Sequence, residues 1–151
     1  MVNIPRTKIV LYQPKLAGNF GNIIRTCSVT NTDLSYVTPI PFTLDDKELK
    51  RAGIDYIDDV HLSVIIDFNK WLDQYANDCV FFSAHAKQYC HDVDLKNKIL
   101  VFGNEVSGLP EEIVSQYPNQ FVKIPMASDK RCYNLSNSVS IGIYQQILHY
   151  S

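Results

Sequence analysis

The 151-residue sequence contains no long apolar run, no CxxC pair and no excess of positive charge. Its longest apolar runs, such as residues 99–102, reach only strand length, whereas a membrane-spanning helix needs about 20 apolar residues. No apolar leader of the kind that directs secretion is visible, so we expect a cytoplasmic protein with reduced thiols. Its cysteines fit no disulfide framework; they are Cys27, Cys79, Cys90 and Cys132.

The balance of charge limits how the protein could hold a nucleic acid. The formal net charge is −2 and the sequence pI is about 6.0, whereas a domain that binds nucleic acid mainly by electrostatics usually has a pI above about 9. A few local basic groups could still contact phosphates, so an RNA enzyme is not excluded. The length and the 46% of hydrophobic residues predict one globular domain, 1–151, that needs no structural metal.

Short apolar runs alternate with segments of helical periodicity along the whole chain. Gly53 is expected to end the second helix, and Pro110 to occupy the first position of the fourth. This alternation predicts an α/β domain with a parallel sheet flanked by helices, in which ligands bind at the carboxyl ends of the strands. The sequence predicts strands at 8–12, 35–38, 60–66, 80–83, 99–102 and 121–124, and helices at 19–31, 45–52, 69–75, 110–116 and 134–149.

The first polar segment after a predicted strand is residues 19–25, NFGNIIR. Asn19 and Asn22 bring amide groups to the expected start of a helix, and Arg25 follows about one turn later. One interpretation is an asparagine N-cap with a solvated arginine, which is a common arrangement. The other is an anion or ribose-phosphate site on the helix N-terminus, where free N–H groups favour negative charge. The residues alone leave both open.

The second polar segment is residues 102–110, FGNEVSGLP. Gly103 would let a ligand approach the backbone, and Gly108 would permit the turn into the next helix. The spacing of the glycines fits neither a Walker A nor a GxGxxG fingerprint, so a structural turn and a cofactor loop are both compatible with it. Glu105 at its centre could order Arg25 or an RNA ribose, or could simply cap the turn.

The third polar segment, residues 124–140, is a long loop that runs into the last predicted helix. Asn and Ser recur over the first turns of that helix in the run NLSNSVS, residues 134–140. Capping explains one such side chain but not four, and polar groups in a buried helix start need partners. We therefore expect a bound cofactor here. Tyr133, just before the helix, could stack on a nucleobase or simply pack against the loop.

Taken together and in this order, the three segments resemble the three motifs of the SPOUT superfamily of RNA methyltransferases. They read NxGNIIR, FGNExSGLP, and IPM followed by NLSNSVS. The length and the segment DDKxLxRAGxDY at 45–56 are most similar to the tRNA (cytidine/uridine wobble position) 2'-O-methyltransferase family, and the likeness covers essentially the whole chain. It implies a SPOUT fold with a C-terminal deep trefoil knot, and AdoMet-dependent methylation of the wobble ribose of leucine-type tRNAs.

The resemblance also implies partners and residue roles. The partners are the anticodon stem-loop of tRNA and a second copy of the chain, which would suit a last helix that is apolar on two faces; no membrane is involved. The implied cofactor-binding residues are Ala84, His85, Gly103, Ile124, Met126, Cys132, Leu135 and Ser136. The implied catalytic residues are Arg25, Glu105 and Asn137, and the implied substrate-binding residues are Asn19, Asn22, Arg25, Tyr133 and Asn134.

Two positions depart from the pattern of the family. Cys132 stands where relatives usually have serine, and a thiol is a weaker hydrogen-bond former than a hydroxyl. If that hydroxyl matters in relatives, this chain would bind its cofactor more weakly or through backbone groups. Asn31 stands in a turn where relatives favour glycine, but asparagine tolerates the left-handed conformation, so the turn can survive.

The expected reaction requires a ribose hydroxyl to be aligned and its proton to be removed. Arg25 matches the essential arginine of the family, but a guanidinium stays protonated and is a poor proton acceptor. The hypothesis is that Arg25 holds the target phosphate, while a phosphate oxygen or a water takes the proton. Two alternatives stay open: the same chemistry on another RNA such as ribosomal RNA, and a non-catalytic module that binds RNA or AdoMet.

One cluster of histidine, cysteine and aspartate resembles a metal site at first sight. Its spacing matches no structural zinc pattern, so we expect no metal. The cluster consists of His85, Cys90, His91, Asp92 and Asp94.

Overall fold

The computed structural model describes residues 4–128 and 131–150, and their side chains except those of 53–56. Within these ranges, a seven-stranded sheet is flanked by five α-helices, none of them long and apolar enough to cross a membrane. The strands are β1 (Thr7–Tyr12), β2 (Thr32–Val37), β3 (Leu62–Ile65), β4 (Cys79–Phe82), β5 (Gln88–Tyr89), β6 (Ile99–Phe102) and β7 (Phe121–Lys123). The helices are α1 (Ala17–Val29), α2 (Lys47–Gly53), α3 (Phe68–Tyr75), α4 (Glu111–Gln116) and α5 (Leu135–Leu148).

All strand pairs in the sheet are parallel, and the strand order is β3-β2-β1-β6-β4-β7-β5. This confirms the predicted α/β class with a parallel sheet flanked by helices. The later strands do not follow the order of the chain, because β6 returns to lie between β1 and β4, and β7 then lies between β4 and β5. Such reversals of strand order occur in the C-terminal half of the chain. They agree with the trefoil knot, which stays a prediction.

Two apolar layers, one on each face of the sheet, hold the helices in place. Successive residues of β1 point to opposite faces, so Ile9 and Leu11 belong to one layer and Val10 to the other. The first layer packs under α1, α2 and α5, and the second under α3 and α4. All four residues of β6 are buried, as expected of an interior parallel strand.

Three details of the helices differ from the sequence prediction. Helix α1 begins at Ala17, two residues earlier than predicted, and its N-cap is Leu16, which forms no side-chain cap. Helix α2 begins at Lys47, two residues later than predicted; it ends at Gly53 as expected, and the 3-10 helix Ile54–Asp59 follows it directly. Pro110 is the N-cap of α4 and not its first residue, since its ψ of 145° is extended.

Strand β5 is the strand that the sequence analysis missed. It has only two residues, both exposed, and it pairs with β7 at the edge of the sheet. A polar run of two residues carries no hydrophobic pattern from which a strand could be predicted. The Gln88 side chain supports the pairing, because its Nε2 donates to the backbone oxygens of Asn119 and Phe121.

Asn31 takes the expected conformation in the turn between α1 and β2. Its φ of 54° lies in the left-handed region, and its Nδ2 donates to the backbone oxygen of Ile4 at 3.3 Å. Asparagine therefore maintains the turn in which relatives favour glycine, and this prediction is confirmed.

The C-terminal end of α5 is tied to the segment before β6. Gln146 is fully buried, and its Nε2 donates to the backbone oxygens of Leu95 and Lys98 at 2.8 Å each. His149 Nδ1 accepts from the backbone N–H of Leu95 at 2.9 Å. These bonds fix the far end of α5 on the sheet and so help to orient its N-terminal end, where the third segment leads.

Candidate active site

The three polar segments follow the carboxyl ends of β1, β6 and β7, at the edge of the sheet where ligands are expected. The first segment lies inside α1, the second leads into α4, and the third leads into α5 and includes its first turns. Residues 129 and 130 of the third segment lie outside the described residues. The side chains that join the segments are Asn19, Glu105 and Asn134.

Glu105 makes the contacts between the second segment and the loop that leads into α1. Its Oε1 accepts from the backbone N–H of Lys15 at 2.9 Å. Its Oε2 accepts from the backbone N–H of Leu16 at 2.9 Å and from Asn19 Nδ2 at 3.2 Å. The carboxylate therefore holds the start of α1 against the loop after β6. A catalytic role of Glu105 stays a prediction.

Asn104, and not Glu105, caps the turn inside the second segment. Its Oδ1 accepts from the backbone N–H of Val106 at 3.0 Å and of Ser107 at 2.8 Å. The backbones of Asn104 and Gly108 also form an antiparallel bridge across this turn. The sequence analysis missed Asn104, although an asparagine that bonds the backbone two residues on is a recognised turn signal.

The two glycines of the second segment serve the loop itself. Gly108 has a φ of 67°, in the left-handed region, which confirms its predicted role in the turn. A Cβ on Gly103 would lie only 2.3 Å from the carbonyl carbon of Gly108 and 2.5 Å from the backbone nitrogen of Leu109. The missing side chain of Gly103 thus makes room for its own loop. Its contact with a cofactor stays a prediction.

Asn134 joins the third segment to the first. Its Oδ1 caps α5, because it accepts from the backbone N–H of Ser136 at 2.9 Å and of Asn137 at 3.4 Å. Its Nδ2 donates to Asn19 Oδ1 at 3.0 Å. Asn19 is 8% exposed and does not cap α1, whose N-cap is Leu16. The asparagine cap proposed for the first segment is therefore wrong, and the cap lies on α5.

Asn22 and Arg25 lie on the exposed side of α1. Arg25 stands about two turns after Ala17, further into the helix than predicted. The Glu105 carboxylate lies at the start of α1, so the negative charge that a helix N-terminus favours comes from the chain itself. Arg25 is exposed on the side of α1, away from the N-terminus of the helix.

The residues expected to bind the cofactor come from the loops after β4, β6 and β7 and from the start of α5. These three strands are neighbours in the sheet, so their carboxyl ends bring the loops together. Ile124 and Met126 are half-buried, Leu135 is buried, and Cys132 is exposed. Loop backbone groups beside apolar side chains offer hydrogen bonds and contact area together, as AdoMet requires with its adenine and its charged methionine part. The residues present fit that cofactor.

Tyr133 holds the third segment together through its hydroxyl. The hydroxyl donates to the backbone oxygen of Pro125 at 2.8 Å, across the loop. The side chain is nevertheless 42% exposed. Packing against the loop is thus confirmed for the hydroxyl end, while stacking of the ring on a nucleobase stays a prediction.

All four cysteines are free, and they divide into buried and exposed thiols. Burial raises the pKa of the Cys27 and Cys79 thiols to about 12, and it also raises the pKa of Cys90. These three therefore stay protonated and act as small apolar side chains. Cys132, in the third segment, is the exposed thiol.

Two cavities of the described molecule are distinct from the residues expected to bind the cofactor, although Pro110 of the second segment lines one of them. One of 230 Å³ lies at the amino ends of β1 and β6, and one of 580 Å³ lies beside the starts of α3 and α4. None of the residues expected to bind the cofactor lines either of them. In the described part of the chain, no group of three His, Cys, Asp or Glu side chains could hold a metal ion.

Comparison with known proteins identifies the family to which this arrangement belongs. The model of the SpoU rRNA Methylase family matches residues 6–144, which include all three segments. The chain belongs to this family. It is 39% identical over 140 residues to the tRNA (cytidine(34)-2'-O)-methyltransferase of Methylovorus glucosotrophus, with 91% of each chain covered. It is 34% identical over 142 residues to the protein of that name from Burkholderia cenocepacia, again with 91% of each covered.

Solved structures agree with this family. One that concerns the 2-OH methylation of C/U34 on tRNA has a TM-score of 0.88 and 30% identity, and 98% of each chain is covered. The SpoU methyltransferase AviRb from Streptomyces viridochromogenes, in complex with AdoMet, has a TM-score of 0.84 at 19% identity, with 97% of this chain and 60% of that chain covered. The likeness to AviRb concerns the fold alone. Together with the family match, these structures confirm the predicted family and its fold class.

Proposed function

We propose that this protein is an AdoMet-dependent methyltransferase that methylates the ribose 2'-hydroxyl of the wobble nucleotide, cytidine or modified uridine 34, in leucine-type tRNAs. The observation that carries the proposal is the joining of the three segments through Asn19, Glu105 and Asn134. The relatives named for this reaction match nearly the whole chain. A tRNA substrate places the reaction in the cytoplasm.

AdoMet is held by the loops after β4, β6 and β7 and by the start of α5. When bound, it supplies an electrophilic methyl group. The half-buried Ile124 and Met126 and the buried Leu135 provide apolar contacts, and backbone groups provide the hydrogen bonds. Because Cys132 replaces the usual serine, backbone groups carry more of the binding here. The residues proposed to surround the cofactor are Ala84, His85, Gly103, Ile124, Met126, Cys132, Leu135 and Ser136.

Arg25 holds the phosphate of the target nucleotide. Its planar guanidinium suits two parallel hydrogen bonds to a phosphate, and its place on the exposed side of α1 leaves room for RNA. It stays protonated, so it does not take the proton of the 2'-hydroxyl. That proton passes to a phosphate oxygen or a water. Asn137, exposed on the first turn of α5, orients the ribose.

The tRNA approaches the exposed side of α1 and the third segment. Asn22 and Tyr133 are exposed there and contact the anticodon stem-loop. Asn19 and Asn134 act on the substrate indirectly, because their amide groups already bond to each other across the loops. The net charge of −2 provides no general attraction for RNA, so we expect alignment of the reacting groups to contribute much of the rate.

The working form is a homodimer built on the neighbouring helices α1 and α5. These helices touch through the hydroxyls of Thr26 and Ser140, at 3.4 Å. Large apolar side chains are exposed on both, with Val29 69% and Tyr144 62% exposed. A second subunit would bury this surface. We expect light scattering after size exclusion to give twice the chain mass, and Tyr144→Glu to shift the protein towards the monomer. A monomeric unaltered protein would contradict the dimer.

The test of the function is to incubate the protein with labelled AdoMet and unmodified total tRNA. Digestion and analysis of the nucleosides should place the label in a 2'-O-methylated cytidine or uridine at the wobble position. Arg25→Ala is the control, because it removes the proposed phosphate contact and should abolish labelling without preventing AdoMet binding. Label at another position, or in ribosomal RNA alone, would overturn the substrate. Binding of AdoMet with no transfer to any RNA would indicate a non-catalytic module.

A further inference from the structure

A continuous chain of hydrogen bonds runs from Glu105 to the N-terminus of α5. Asn19 Nδ2 donates to Glu105 Oε2 at 3.2 Å, and Asn134 Nδ2 donates to Asn19 Oδ1 at 3.0 Å. Asn134 Oδ1 then accepts from the backbone N–H groups of Ser136 and Asn137. We call this chain the amide relay. It links the loop after β6, the first turn of α1 and the start of α5.

Each amide in the relay can take only one orientation, because the group at one end of the relay only accepts hydrogen bonds and the groups at the other end only donate them. The Glu105 carboxylate only accepts hydrogen bonds, so it requires the NH₂ group of Asn19 to face it. The oxygen of Asn19 is then left to accept from the NH₂ group of Asn134. The oxygen of Asn134 is left for the backbone N–H groups of α5, which only donate. Reversing either amide would place donor against donor at one end and acceptor against acceptor at the other.

The relay leaves little freedom to the groups that it contains. Asn19 is 8% exposed and bonded at both ends of its amide. Glu105 also accepts from the backbone N–H groups of Lys15 and Leu16, so three donors surround its carboxylate. A shift of the start of α5 therefore displaces Asn19, and the displacement of Asn19 moves the start of α1. Hydrogen bonds that follow one another in series also polarise, and so strengthen, one another.

We propose that Glu105 and Asn19 are positioning residues whose relay couples AdoMet binding at the start of α5 to the placement of α1 and hence of Arg25. The role of Arg25 in this inference rests on the proposed function, whereas the expected effect on AdoMet affinity does not. Coupling between sites is reciprocal. AdoMet should therefore tighten RNA binding, and a change of the relay residue Asn19 should weaken AdoMet binding although α1 lies outside the cofactor loops.

The first test measures AdoMet affinity by calorimetry without RNA. Asn19→Asp removes the donor to Glu105 and sets two carboxylates together, so we expect AdoMet to bind about tenfold more weakly, as for the loss of one charged hydrogen bond. Asn134→Asp keeps the oxygen that caps α5 but removes the donor to Asn19, and should give a similar loss. Asn69→Asp, exposed on α3 across the sheet, makes the same change of charge and should leave the affinity unchanged.

The second test is a rescue that a merely destabilising change would not show. In the double variant Glu105→Gln with Asn19→Asp, the glutamine NH₂ donates to the new aspartate, and the net charge is that of the unaltered chain. Glu105→Gln alone and Asn19→Asp alone should each weaken AdoMet binding. The double variant should regain most of the affinity that each of them loses. It does not regain all of it, because the glutamine NH₂ faces the Leu16 N–H, which bonded to Oε2. If the losses of AdoMet binding free energy in the two single variants simply added in the double variant, that result would overturn the relay.

The third test measures tRNA affinity with and without S-adenosylhomocysteine, which occupies the cofactor site without transferring a methyl group. We expect about tenfold tighter tRNA binding with the cofactor product in the unaltered protein, and a ratio near one in Asn19→Asp. An unchanged ratio in Asn19→Asp would contradict the coupling. If the proposed substrate is wrong, unaltered protein will not bind tRNA, while the calorimetric tests of the relay still give their answer.

Discussion

The replacement of Gln146 by methionine tests whether the end of α5 is held by hydrogen bonds or only by packing. Gln146 is fully buried, and its Nε2 donates to the backbone oxygens of Leu95 and Lys98. Methionine has a similar length and volume but no polar atom that could replace this donor. The change therefore removes two hydrogen bonds while leaving little empty space in the core.

The structure gives the expected size of the effect. The Leu95 oxygen keeps a bond from the Lys98 N–H at 3.1 Å, so its loss is about 1 kcal/mol. The Lys98 oxygen loses its side-chain donor, which costs about 1–3 kcal/mol where the group is buried. One gain opposes this: Oε1 of Gln146 has no hydrogen-bond partner in the described part of the protein, and methionine removes it. The net loss is about 2 kcal/mol, or roughly 4–8 °C in melting temperature.

Urea unfolding at a fixed protein concentration measures this loss. The control is Gln145→Met, the same replacement at the preceding, half-buried position of α5. We expect the unfolding midpoint of Gln146→Met to fall clearly below that of the control, with the same slope. Equal midpoints for the two variants would refute the reasoning, because they would show that packing alone holds the end of the helix.

Three further predictions concern the site. Arg25→Lys should lower methyl transfer about 10- to 100-fold, measured with labelled AdoMet, because lysine cannot form two parallel bonds to a phosphate. Gly108→Ala should lower the free energy of unfolding by about 1–2 kcal/mol, since φ is 67° there, whereas Gly18→Ala inside α1 should raise it. At pH 8 a thiol reagent should label Cys132 alone in the folded protein, because the buried thiols are protonated, and AdoMet should slow that labelling.

Much of the sheet could be predicted from local pattern, because the central strands β4 and β6 are short, continuous apolar runs. Strand β6 agrees with the prediction at both ends, and it is buried on both faces. Strand β5 could not be found in this way, because its two exposed residues form a strand only through their pairing with β7. The strand order also depends on contacts between residues far apart in sequence, for which a periodic pattern has no signal.

The place of the site could be predicted, but its internal contacts could not. The rule that ligands bind at the carboxyl ends of parallel strands located the three segments. Two of the three partners of Glu105, however, are the backbone N–H groups of Lys15 and Leu16, about ninety residues away in sequence. Every residue but proline carries such a group, so no residue type marks the partner.

The position of Glu105 also supports the proposal that RNA contacts the side of α1. A helix N-terminus favours one negative group, and here the Glu105 carboxylate lies there, bonded to the N–H of Leu16. A phosphate brought to the same place would meet a like charge. The partner proposed for that phosphate is Arg25, which is exposed about two turns along the helix. On this proposal, the carboxylate that holds the loop would also direct the substrate phosphate away from the helix end and towards the arginine.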